Sequence, residues 1–97
     1  MSDYRNEVFH DQDFLRDVRR LPIETQRKLS GLIELLEEDA FDPRLHTKPL
    51  SVPLQGIFTF RITRDYRVAL KFRGAHLIQL LLADKRDKIY ERLKRRQ

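Results

Sequence analysis

Ninety-seven residues with a net charge of +5 and no cysteine allow one domain around a single core. They exclude a disulfide framework, a thiolate nucleophile and thiolate-bound zinc, which fits a reducing cytosol. The opening MSDYRNEVFHDQD is acidic and polar, unlike a secretory signal, and the longest apolar run, Leu80 to Ala83, is far short of the ~20 residues of a membrane span, so a cytoplasmic protein without a membrane partner is expected.

In chain order, Tyr4 to Phe9 has weak strand character and is short enough to be an added edge strand. Asp11 and Asp13 are both candidate N-caps. From Asp13 onward Phe14, Leu15, Val18 and Leu21 fall on one helical face. Pro22 ends this helix and suits the first turn of the next. That second helix is expected over Ile23 to Glu38, with Leu29, Leu32, Ile33 and Leu36 as its buried stripe. Gly31 costs such a helix up to ~1 kcal/mol relative to Ala, so close packing against a neighbour is the expected reason for it. Phe41 to Pro53, with prolines at 43, 49 and 53, reads as an extended connection anchored by Leu45, Leu50 and Leu54, with a short strand at Lys48 to Val52.

The stretch LQGIFTFRITRDYRVALKF, Leu54 to Phe72, reads as two strands with a turn at Arg64 and Asp65, where Asp suits local hydrogen bonding. Phe58, Phe60 and Ile62 alternate with Thr59, Arg61 and Thr63; Tyr66, Val68, Leu70 and Phe72 alternate with Arg67, Ala69, Lys71 and Arg73. Side chains alternate between faces at period 2, so one face is apolar and the other collects Arg61, Arg67, Lys71 and Arg73. Gly74 makes the next turn. Ala75 to Ala83 is nearly continuously apolar and should be an inner strand. Within Asp84 to Gln97, Ile89, Tyr90 and Leu93 give a partial apolar face on an otherwise basic terminal helix. The fold class is therefore α+β over residues 1–97 as a single domain: an N-terminal helical hairpin packed on one face of a mainly antiparallel sheet, then a short basic helix.

Charge is unevenly spread. Residues 1–43 carry six Lys/Arg against eleven Asp/Glu, a net of −5, and residues 44–97 carry fourteen against four, a net of +10. Such asymmetry points to an anionic partner, nucleic acid or an acidic protein. His10, His46 and His76 lack metal-ligand spacing, Gly31, Gly56 and Gly74 form no phosphate loop, and Ser2, Ser30 and Ser51 lack the context of a serine triad. Arginines, lysines and a tyrosine remain. Guanidinium groups suit phosphate oxygens and stabilise charge that develops at phosphorus. RNA brings its own nucleophile, the 2′-OH, so such a surface could cleave RNA without a metal or could simply bind an anion.

The segments FDPRLHTKPLSVPL (Phe41 to Leu54), FRITRDYRV (Phe60 to Val68) and RDKIY (Arg86 to Tyr90), in this order after a helical hairpin, resemble the RelE/ParE superfamily of bacterial type II toxin–antitoxin toxins across nearly the whole chain. In its RelE-like branch the resemblance implies a metal-independent endoribonuclease, an mRNA interferase that needs no cofactor. Such a toxin cuts message in the ribosomal A site and inhibits translation, with ribosome and mRNA as partners. In the ParE-like branch it implies a non-enzymatic inhibitor of DNA gyrase. Both imply a cognate antitoxin, expected here as an acidic or amphipathic segment that docks on the cationic sheet face or displaces the terminal helix.

Within that resemblance Arg67 of DYRV matches the arginine directed at the scissile phosphate. Arg86 matches the arginine of the strand-end motif, and Tyr90 resembles the C-terminal tyrosine that contributes to cleavage. Arg61, Lys71, Arg73, Lys48 and Lys85 are the expected RNA-backbone contacts, with Arg61, after a one-residue shift, where some members carry lysine. Asp84-Lys85 stands where many relatives have Gly-His, and Phe58 and Phe60 fall near the lysine pair of the RelE branch.

Overall fold

A computed structural model describes residues 5–96. Strand β1 (Glu7–His10) leads into helices α1 (Gln12–Arg20) and α2 (Ile23–Glu38). Strands β2 (Lys48–Pro49), β3 (Phe58–Arg61), β4 (Tyr66–Gly74) and β5 (Leu77–Lys85) follow, and α3 (Arg86–Arg95) closes the described chain. The sheet order is β1-β5-β4-β3-β2; only the β1–β5 pair is parallel. The expected edge strand is thus present as β1, while Tyr4 lies outside the described residues.

The sheet divides two apolar clusters. On one side Phe14, Leu29, Leu32 and Leu36 of the helical hairpin bury Phe60, Val68, Leu70, Ile78 and Leu80. On the other, Ile89 and Leu93 of α3 pack with Leu54 and Ile57 over Ala69, Leu81 and Leu82. Both Leu81 and Leu82 reach the second cluster because the register slips between Ala69↔Leu82 and Leu70↔Leu80, leaving Leu81 as the extra residue of a bulge. Cover on both faces is the physical reason that β5 reads as an apolar run. The connection after α2 wraps around the β3 edge. Its Leu45 is buried in the first cluster, whereas Leu50 and Leu54 belong to the second.

Local details depart from expectation in informative ways. Helix α1 buries Phe14 and Asp17, with Leu21 buried at its C-cap, and Leu15 is exposed, so its inward face is rotated from the apolar stripe to admit an aspartate. Asp11 is its N-cap residue, yet the carboxylate makes no cap bond; it is engaged by Gln79 and Arg96. Pro22 stands at the N-cap of α2, one position before the first turn. Gly31 is exposed and a Cβ there would meet nothing within 4 Å, so close packing is not its reason. In the β3–β4 turn the local acceptor is Thr63, whose Oγ1 takes the N–H groups of Asp65 and Tyr66, and Asp65 instead offers its carbonyl to the N–H of Arg86 at 2.9 Å.

Candidate anion site under helix α3

Strand pairing sets out the cationic face row by row. Arg61 of β3 lies directly opposite Arg67 of β4, which lies opposite Asp84 of β5. One row along, about 7 Å away at strand rise, Thr59 stands between Lys48 of β2 and Ala69 of β4. Residues directly opposite one another share a face, so all of these point away from the helical hairpin.

Arg67 is 5 % exposed, and its Nε and Nη1 donors find no acceptor among the described residues. The same is true of the Nε of Arg61 and the hydroxyl of the fully buried Thr59. A buried donor left without a partner costs about 1–3 kcal/mol, more when it is charged, and two guanidinium groups on facing positions repel. Asp84 does not relieve them, because its Oδ2 accepts a 3.0 Å hydrogen bond from Nη1 of Arg92. Four unmatched donors on adjacent rows, three of them on guanidinium groups, have the chemistry that suits an anion with several oxygens.

Tyr90 and Lys94, one turn apart on α3 and so on one helix side, form a wall of the adjoining hollow of about 360 Å³, whose opposite side carries Lys48 and the Leu50–Leu54 segment. The ring of Tyr90 is half-buried against the second cluster. The structure therefore gathers Arg61, Arg67, Lys48 and Tyr90 on one side of α3. It adds two residues that the sequence reading did not single out, Thr59 and Lys94. Period-2 parity with Arg61 and i,i+4 spacing from Tyr90 were the signals for them.

The other sequence candidates stand apart. Ile89 and Leu93 cover Ala69, so α3 splits the cationic face between Arg67 and Lys71. Beyond it Lys71 and Arg73 line a hollow of about 230 Å³ with Arg96. There Arg73 Nε donates to Gln79 Oε1, whose Nε2 in turn donates to Asp11, both at 2.6 Å. Lys85 and Arg86 lie at the sheet end with Asp65, Tyr66 and Asp87. Arg86 is the first residue of α3 and its side chain is exposed.

Helix α3 is fixed by ion pairs at its far side. Arg92 Nη1 donates to Asp17 Oδ2 at 2.9 Å as well as to Asp84, while Asp17 Oδ2 also accepts the N–H of Ala83 at 3.0 Å. Partial burial pulls the Arg92 pKa down, but the hydrogen bonds to Asp17 and Asp84 outweigh it and hold the guanidinium above its ordinary value. Arg96 Nη2 reaches Asp11 at 3.0 Å. No cluster of three or more His, Asp or Glu suited to a metal is found among the described residues.

No protein-family model and no curated protein matches the sequence. Solved structures do match over most of the chain. The toxin–antitoxin complex RelBE2 from Mycobacterium tuberculosis is 26% identical with a TM-score of 0.64, covering 84% of this chain and 99% of that one. A mutant of YafQ from E. coli is 15% identical with a TM-score of 0.72, covering 88% and 98%. The YoeB/ParE toxin from Agrobacterium tumefaciens is 17% identical with a TM-score of 0.70, covering 81% and 96%. The chain is thus structurally similar, across most of its length, to RelE, YoeB/ParE and YafQ toxins of type II toxin–antitoxin systems.

Proposed function

We propose, starting from that likeness, that this chain is the toxin of a type II toxin–antitoxin system and that it cuts messenger RNA on the ribosome. The observation that carries the reading is the guanidinium of Arg67, held buried beside Arg61 and Thr59 with two donors unmatched. A protein retains such a group at a cost in stability, and an incoming phosphodiester supplies the oxygens that it lacks. In the reaction the 2′-OH gives its proton to water and attacks phosphorus, the bond to the 5′ oxygen breaks as that oxygen takes up a proton, and a 2′,3′-cyclic phosphate and a 5′-OH result. Arg67 and Arg61 stabilise the charge that builds on the phosphoryl oxygens as five bonds form. Tyr90 lends its hydroxyl to the leaving 5′ oxygen. Lys48 and Lys94 hold the flanking backbone, and Arg86, Lys85, Lys71 and Arg73 guide the strand outside the hollow. No step calls for a metal, because the nucleophile belongs to the substrate.

A cognate antitoxin is the second partner. Toxins of this fold have been solved as toxin–antitoxin complexes, RelBE2 and DinJ-YafQ among them, and the basic C-terminal half suits an acidic, amphipathic segment. The test is cell-free translation with purified protein, followed by primer extension on the message. Cuts inside codons that require translating ribosomes, absent with Arg67→Ala, are expected. Intact message with undiminished translation would overturn the reading, and inhibition of DNA gyrase supercoiling would then assign the surface to a ParE-like role.

A further inference from the structure

Beyond the C-terminal end of α2, three phenylalanine rings close the hairpin-covered face of the sheet. Phe58 of β3 and Phe72 of β4 meet edge to face at 5.0 Å, and Phe41 lies flat on Phe72 at 5.7 Å with 17° between the ring planes. The two strand rings are half-buried, whereas Phe41 is 57 % exposed. The backbone beneath it is braced: Asp39 Oδ1 accepts the Phe41 N–H at 2.9 Å, the Asp39 carbonyl accepts the Asp42 N–H at 3.1 Å, and the Ala40 carbonyl accepts the Thr47 hydroxyl at 2.6 Å. A fixed turn thus holds an aromatic face out to solvent.

Beside that ring is a hollow of about 280 Å³ whose lining includes Asn6, Glu38, Asp39, Phe41, Phe72 and His76. Among the described residues no Lys or Arg lines it. The adjacent arginines are engaged elsewhere, Arg5 with Glu37 and Arg44 with Asp42, and Glu38 acts on Arg44 through its field alone. Glu38 is the last residue of α2 and Asp39 its C-cap, and the last turn of the helix holds no basic residue. A helix C-terminus carries partial negative charge and is stabilised by cations, so two carboxylates there oppose stability. A bound cation would offset them.

Chemistry selects the occupant. Phosphates and acidic segments are repelled by the two carboxylates. An ammonium must shed tightly held water to lie on a ring, whereas a guanidinium is weakly hydrated, stacks flat on an aromatic face and meets a carboxylate through two N–H groups. Free arginine would bring a carboxylate of its own, for which the lining offers no Lys or Arg, so the guanidinium arrives on a polypeptide. We propose that Phe41, with Glu38 and Asp39, is a docking point for an arginine side chain on a basic segment of a partner protein. Such a partner is opposite in charge to the acidic segment expected of an antitoxin, and the inference does not rest on the nuclease reading.

The test is an amide-detected NMR titration of the full chain with the peptide Gly-Gly-Arg-Gly-Arg-Gly-Gly, capped at both ends. The amides of Glu38, Asp39, Ala40, Phe41 and Phe72 should shift. A counterpart with citrulline for both arginines, equal in shape but neutral, should bind at least about tenfold more weakly, and a lysine counterpart about threefold. Phe41→Leu, which keeps an apolar side chain and removes the ring, should lose at least about fivefold, while Phe41→Tyr should stay within about twofold and so separates the ring from the fold. Glu38→Gln should lose about threefold. Arg67→Met should bind the peptide as the parent does, so this inference and the nuclease reading fail separately. Equal affinity for the citrulline peptide, shifts confined to another surface, or parent-like affinity in Phe41→Leu overturns the inference. So does self-association of the parent in sedimentation velocity that Phe41→Leu abolishes, which would make a second copy the occupant.

Discussion

At the scale of single residues, the proposed function and stability oppose each other most clearly at Arg67. Its charge sits under α3 with two donors unmatched, so a methionine of similar length should relieve a desolvation penalty and remove the phosphate contact together. Arg67→Met is expected to abolish message cleavage and to raise unfolding free energy by about 1–3 kcal/mol, measured by urea titration. A parallel loss of stability and activity would mean that the guanidinium braces the fold. Alternation in FRITRDYRV was enough to put Arg61 and Arg67 on one face. Burial was not legible, because arginine in a two-stranded pattern ordinarily faces water, and only the tertiary structure leaves Arg67 5 % exposed. Tyr90→Phe keeps the packed ring and deletes the hydroxyl; stability should hold within about 0.5 kcal/mol while cleavage falls.

At the scale of elements, α2 follows its periodicity and α1 does not. Ile23–Glu38 forms as expected, with Leu29, Leu32 and Leu36 buried. Gly31 lies on its exposed side with open space at the Cβ position, so Gly31→Ala should stabilise the protein by about 1 kcal/mol, read as a rise in melting temperature with activity unchanged. In α1 Asp17 is buried along with Phe14, 6 % exposed at its side chain. A carboxylate is tolerated there because the N–H of Ala83 and the guanidinium of Arg92 complete it. Neither partner is near in sequence, so no local pattern announces the site. Arg92→Met leaves Asp17 with the amide alone. Breaking a buried pair costs about 3–5 kcal/mol, and since Arg92 is 31 % exposed solvent screening reduces this; a loss of about 2–3 kcal/mol in chemical denaturation is expected.

At the scale of the molecule, Asp11 joins elements from both ends of the chain. Its carboxylate caps no N–H of its own helix, yet links β5 through Gln79 and α3 through Arg96. Burial pushes its carboxyl up, but the bonds from Gln79 and Arg96, aided by the charges of Arg96 and Arg73, hold the pKa below the ordinary 3.8. A carboxyl depressed in the folded state favours folding while it is ionised. That contribution is therefore complete well above pH 4 and fades as pH falls through the depressed folded value. Asp11→Asn should lower the melting temperature at pH 7 and flatten its decline below pH 4; curves that run parallel over the whole range would show that this network carries no linkage. The split of charge along the chain acts at this scale too. High salt should weaken the complex with an antitoxin only in part, since apolar contact persists.

The sequence by itself determined the α+β class, the extent of α2, the β3–β4 pair, the inner apolar strand and the parity that puts Arg61 and Arg67 on one face. These follow from local rules, since period 2 and period 3.6 act within one element. Tertiary structure decided the rest. It placed α3 on the opposite face from the helical hairpin and split the basic surface at Ala69. It enclosed Arg67 and Thr59 and brought Lys48 and Lys94 to Tyr90. Each of these depends on which distant segment covers a given row, and that is settled by the fit of two apolar clusters around one sheet.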